Sequence, residues 1–123
     1  MFVCRAAGNI ATPQIIGSLE YGTLVLGSRV LMVLGHTGCG AVAATLKGDP
    51  VPGQIGSLYP YIYPAIIQAG SKDLKTVVAQ NVRHQMELLR HASPVIRDLI
   101  RENKVRVVGG VFDFHDGSVA LME

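Results

Sequence analysis

The densest chemistry in this chain is His36-Thr37-Gly38-Cys39-Gly40. His and Cys stand three apart on a turn whose glycines let the backbone fold back tightly. Imidazole and thiolate are donors that suit zinc, so His36 and Cys39 are candidate ligands of one metal ion. The plainer reading is a His36 that caps a helix and a Cys39 that fills a small buried position. Gly38 and Gly40 leave N–H groups free where a helix begins, and such groups favour an anionic ligand. Cys4 is the only other thiol. His84 and His91 read as solvated helix positions, and His115 precedes a turn. Asp113 and Asp116 read as turn residues. Gln14, Tyr21, Tyr59, Tyr61 and Tyr63 read as packing or interface. No Ser-His-Asp order, P-loop or dinucleotide glycine motif is present.

The elements that must position the turn follow from hydrophobic spacing. Arg29 to Leu34 is a continuous apolar run, the pattern of a strand buried on both faces. It leads straight into the His36 turn, and residues 41–46 then read as a helix closed by Gly48. Phe2-Val3-Cys4 reads as a strand. Thr12-Pro13 starts a helix that runs to about Gly27, and its two glycines, Gly17 and Gly22, predict close packing against a neighbour. Residues 57–70 predict a helix kinked or broken by Pro60 and Pro64. Residues 72–91 predict the longest helix, with an apolar stripe of Leu74, Val78, Val82, Met86 and Leu89 and an Arg83–Glu87 pair outside it. Ser93-Pro94 starts another helix, Val105 to Val111 is a buried strand, and Asp116-Gly117 turns the chain into a returning strand. Strands alternating with helices give an α/β fold: a mostly parallel central sheet, flanking helices and a C-terminal antiparallel edge hairpin.

Composition narrows the function classes. A chain of 123 residues is one domain, 1–123. It is 49% hydrophobic and 16% charged, against about 25% charged residues in an average protein. Disorder is excluded. The apolar excess predicts an oligomer, most simply a homodimer. A net charge of +2, scattered along the chain, gives no footprint for nucleic acid. No apolar stretch approaches the ~20 residues of a membrane span. The N-terminus lacks a signal-peptide layout, and two cysteines are too few for a disulfide scaffold, so a cytoplasmic location is expected.

Several motifs, in order, resemble the β-class carbonic anhydrases. His36-Thr37-Gly38-Cys39-Gly40-Ala41-Val42, preceded by Arg29 to Gly35, is similar to that family's second zinc-binding motif. Phe2-Val3-Cys4-Arg5-Ala6-Ala7-Gly8-Asn9 resembles its F-V-x-R-N-A-G-N segment, with Ala6 where Asn is usual. Ser18-Leu19-Glu20-Tyr21, Gly53 to Leu58, Asn81 to Gln85, and Val107 to Asp113 with Asp116-Gly117 resemble later family segments. The resemblance implies zinc as cofactor, His36 and Cys39 as ligands, and reversible hydration of CO2 to bicarbonate. It also implies an anion pocket lined by Arg5 and the Gly8-Asn9 loop, beside Gly38 and Gly40.

One family segment is not found among these residues. C-x-D-S-R, which carries another zinc ligand and an Asp/Arg dyad, stands upstream of the F-V strand in the family, on a strand between F-V and Arg29 to Leu34. Catalysis is therefore expected to be weak or absent, unless Cys4 completes the site by the sheet closing over that gap. Two other readings stand beside it: a non-catalytic dimer that binds an anion or a partner, and a hydrolase for a related small molecule such as carbonyl sulfide.

Overall fold

The computed structural model describes residues 1–122. In chain order the elements are α1 (Pro13–Glu20), β1 (Val30–His36), α2 (Gly40–Lys47), α3 (Tyr59–Ala69), α4 (Leu74–His91), α5 (Pro94–Arg101), β2 (Arg106–Phe112) and β3 (Val119–Met122). The sheet order is β1-β2-β3. β1 and β2 run parallel, from Val30 opposite Arg106 to His36 opposite Phe112. β3 returns antiparallel along β2. Among the described residues no helix is long and apolar enough to cross a membrane.

Local chemistry sets the helix ends. Thr12 Oγ1 accepts a hydrogen bond from Ile15 N at 3.3 Å, and Pro13 occupies the first turn, where no N–H is needed. Past Glu20 the helix widens into a π turn, Tyr21–Val25, and Gly27 ends it at φ 76°. Ser93 Oγ caps α5 by accepting from Ile96 N at 3.1 Å, and donates to Glu20 Oε2 at 2.8 Å, which ties the end of α1 to the start of α5. Pro60 lies in the first turn of α3, and the helix continues through Pro64 to Gly70.

Leu31, Val33 and Gly35 lie on the face that packs against α4, together with Val107, Gly109 and Val111. The approach is close. A Cβ on Gly109 would collide with Met86 Sδ, and one on Gly35 would lie 2.6 Å from Val82 Cγ2. Two polar side chains sit in this apolar face of α4, both fully buried. Asn81 Nδ2 donates to Gly8 O at 2.8 Å. Gln85 Oε1 accepts from Ala11 N at 2.9 Å, while its Nε2 donates to Tyr61 O and to Asn81 Oδ1, both at 3.0 Å. The pair pins the N-terminal loop to α4 and leaves none of its own buried groups unpaired.

Four expectations change. Residues 2–4 form no strand; with no neighbouring strand to complete a ladder, Phe2 packs its ring on Gly22 instead. β1 is buried on one face only: Leu31 and Val33 are covered, while Val30, Met32 and Leu34 are exposed. A continuous apolar run carries no period that distinguishes these cases. Gly22 is packed as expected, but a Cβ on Gly17 would meet nothing within 4 Å. Glu87 pairs with Arg90 and His91 rather than Arg83, because Arg90 also reaches Val107 O and is held on that side.

Candidate metal centre

The His36 turn forms where β1 ends. Gly38 adopts φ 65°, a conformation that reverses the chain at little cost only without a side chain. Cys39 is the residue before α2 and its carbonyl accepts from Ala43 N at 3.0 Å. Its side chain is 3% exposed, among Ile10, Val42, Ile62, Val77 and Val78. His36 Nδ1 lies 2.9 Å from Thr37 O. A carbonyl only accepts, so Nδ1 carries a proton, and in the neutral ring the lone pair then lies on Nε2. That is the tautomer and the kind of backbone anchoring found in metal-binding histidines.

The turn is clamped against β2 and the loop beyond it. Thr37 N donates to Phe112 O at 2.9 Å, and Thr37 Oγ1 accepts from Phe114 N at 3.1 Å. The Phe114 ring meets His36 edge-on at 5.2 Å and Phe112 edge-on at 5.0 Å. Sequence reasoning missed Phe114, since nothing in its spacing marks a ring that reaches a residue 78 positions earlier. Asp113 and Asp116 serve the turn: Asp113 Oδ1 accepts from His115 N, and Asp116 Oδ1 accepts from Ser118 N. The Ser118 hydrogen bonds hold the Asp116 carboxyl below its ordinary pKa.

The other candidates lie apart. Cys4 is half-buried in the segment before Gly8, and that segment forms no ladder with β1. His84 Nδ1 contacts Gln68 Nε2 at 3.2 Å, and His91 pairs with Glu87. Burial lowers the His84 pKa. Among the described residues no three of His, Cys, Asp and Glu come together as a metal set. His36 and Cys39 thus match zinc in kind, but fall short of the three protein ligands of a catalytic site in number.

The polar loop lies beside the same strand end. Arg5 is exposed, Gly8 has φ 74° and Asn9 φ 44°. Asn9 Oδ1 would sit 3.5 Å from a Cβ on Gly35, one residue before His36. Asn9 Nδ2 is buried and has no hydrogen-bond partner among the described residues.

Comparison with known proteins adds the family. The carbonic anhydrase family model matches residues 1–119. The chain belongs to the β-class carbonic anhydrases. It is 32% identical to a carbonic anhydrase of Mycolicibacterium smegmatis, over 98% of this chain and 62% of the relative. It is 30% identical to carbonic anhydrase 2 of Mycobacterium tuberculosis, over 100% of this chain and 63% of the relative. The fold superposes on a Coccomyxa β-carbonic anhydrase, solved in complex with acetazolamide, with a TM-score of 0.85 and 25% identity, covering 97% of this chain and 59% of that one. A tetrameric β-carbonic anhydrase of Sordaria macrospora gives a TM-score of 0.84 at 21% identity, covering 98% of this chain and 67% of that one. The chain therefore spans about three-fifths of the length of the curated relatives it matches.

Proposed function

We propose that these residues are the part of a β-class carbonic anhydrase that presents His36 and Cys39 to zinc, and that CO2 hydration requires at least one further ligand from outside the His36 turn. The observation that carries this reading is His36 itself: its Nδ1 is committed to Thr37 O, which leaves Nε2 for a metal. Bound zinc would supply the activated water for attack on CO2. The chain's own residues do the positioning. Gly38 turns the backbone, Thr37 and Phe114 fix the turn against β2, and the apolar shell around Cys39 limits water. With two donors the chain holds zinc weakly, and its CO2 hydration is weak or absent. Both cysteines are free, in keeping with a reducing cytoplasm.

A second reading, an anion-binding protein without catalysis, draws on Asn9. A buried N–H without a partner costs about 1–3 kcal/mol, a cost that an anion seated by Arg5 and the glycine turn would offset. Zinc content and CO2 hydration, measured on protein purified without chelator, test the first reading. Zinc that is taken up only weakly, is lost in Cys39→Ser and comes with CO2 hydration near background supports it. Protein that takes up no zinc under saturating metal, yet binds bicarbonate through Asn9, contradicts it in favour of the second.

A further inference from the structure

An open groove of about 410 Å3 runs between α3 and α4, lined by Gln68, His84, Glu87, Leu88, His91 and Ala92. A chain of amides crosses beside it. Gln80 Nε2 donates to Gln68 Oε1 at 3.2 Å, and Gln68 Nε2 lies 3.2 Å from His84 Nδ1. The first bond sets the Gln68 amide with its nitrogen toward His84, and an amide nitrogen only donates. His84 Nδ1 is therefore the acceptor, and the contact exists only while that nitrogen carries no proton. Of the other groove residues, Glu87 and His91 titrate. Both stand on α4 and are bonded to each other at 3.0 Å, with Arg90 also on Glu87. α3 contributes Gln68 and the turn after α4 contributes Ala92, neither of which titrates. The last turn of α3 is that helix's weakly held end. Ile62 and Ala65 are fully buried, whereas Ile66 and Ala69 are half-buried and Ile67 and Gln68 are exposed. Pro64, just before that turn, gives no N–H to the carbonyl four residues back, and Gly70 ends the helix at φ 59°. The inner part of α3 is tied to α4 by Gln85 Nε2 on Tyr61 O. The outer end is tied by Gln68.

We propose that Gln68 and His84 form a proton-operated latch: neutral His84 holds the last turn of α3 on α4, and protonation releases that turn and loosens the apolar cluster around Cys39. The release follows from the direction of the hydrogen bonds. A proton on Nδ1 sets a donor against the Gln68 nitrogen. Turning the Gln68 amide over to meet it sets that nitrogen against the Gln80 nitrogen instead. The imidazolium also needs water, which its covered position withholds. Burial lowers the His84 pKa, so the closed form favours the neutral ring. The latch is accordingly shut above the ordinary histidine value of 6.5 and opens as the pH falls below it. The parting costs little elsewhere, since the turn carries no fully buried side chain and a helix end of this kind opens locally. Its consequence reaches inward. Ile66 and Ala69 pack on the cluster that holds Cys39, Val42, Ile62 and Val77, so their departure thins the cover over that thiol. The proposal does not rest on bound zinc, because Cys39 enters only as a buried thiol.

The test is amide hydrogen exchange of the full chain at pH 7.5 and pH 5.5, corrected for the intrinsic rate at each pH. Wild type is expected to lose protection severalfold at residues 66–70 on acidification, while the middle of α4 keeps its own. His84→Gln can hold Gln68 without titrating and should stay protected at both pH values. His91→Gln should respond as wild type does. Gln68→Leu, at an exposed position that the fold does not need, should show the released level at both pH values. Cys39 gives a second readout, in a Cys4→Ser background, through its reaction with a dithiodipyridine. The rate in wild type divided by the rate in His84→Gln cancels the ionisation of the thiol itself. That ratio is expected near one at pH 7.5 and severalfold higher at pH 5.5. Unchanged protection in wild type would mean that Gln68 and Gln80 turn over together and keep the contact, and it overturns the inference. A response that survives His84→Gln, one that is lost in His91→Gln, or a thiol ratio near one at pH 5.5 overturns it as well.

Discussion

Gln85 shows how much of this fold hangs on single side chains. It satisfies Ala11 N, Tyr61 O and Asn81 Oδ1 from within the core. Gln85→Ala strands two buried groups, Ala11 N and Asn81 Oδ1, each costing about 1–3 kcal/mol when unmade, so the variant should lose at least ~2 kcal/mol in urea unfolding. A loss below 1 kcal/mol, on the order of a surface change, would contradict this account. His84 carries a pH dependence. Burial lowers its pKa in the folded chain, so the unfolded chain takes up the proton first as pH falls. Its contribution to stability is therefore intact above the ordinary value of 6.5 and is lost below it, as the pH approaches the lower folded value. Protonation also removes the Nδ1 acceptor that faces Gln68. Thermal melts between pH 7.5 and pH 5.5 should show a smaller loss in His84→Gln than in wild type; equal losses would refute the assignment.

Glycines set how the elements pack. Gly109→Ala places a methyl group against Met86 Sδ and Val82 Cγ1 and should destabilise by about 1–3 kcal/mol, because these packed side chains of α4 must give way. Gly17→Ala should stabilise by about 0.5–1 kcal/mol, since the position is helical, exposed and open. Chemical denaturation of the two variants side by side checks both signs. Glycine in a sequence does not say which kind it is. Gly17 and Gly22 read alike, yet only Gly22 meets a neighbour, the Phe2 ring. The helices were legible because their caps and stripes are local. The strand expected at residues 2–4 failed because a strand exists only with a partner, and residues far along the chain decide whether there is one. Asn81 and Gln85 were passed over as core for a related reason: polar residues on an apolar stripe are core only when distant backbone groups meet them.

At the scale of the whole molecule, the sheet has one buried and one bare face, and the His36 turn offers two candidate donors, His36 and Cys39. The turn was legible as a motif, because His36, Gly38 and Cys39 are contiguous in sequence. What completes it was not, because a further ligand depends on which chain segments come near. The bare face escaped notice because an apolar run looks the same whether it is covered once or twice. The most direct test of the two-donor centre is zinc retained per chain after dialysis against a weak chelator, with CO2 hydration measured on the same sample. The account predicts well under one zinc per chain and a rate near background. One tightly held zinc per chain, with hydration well above background that is abolished by Cys39→Ser, would contradict it.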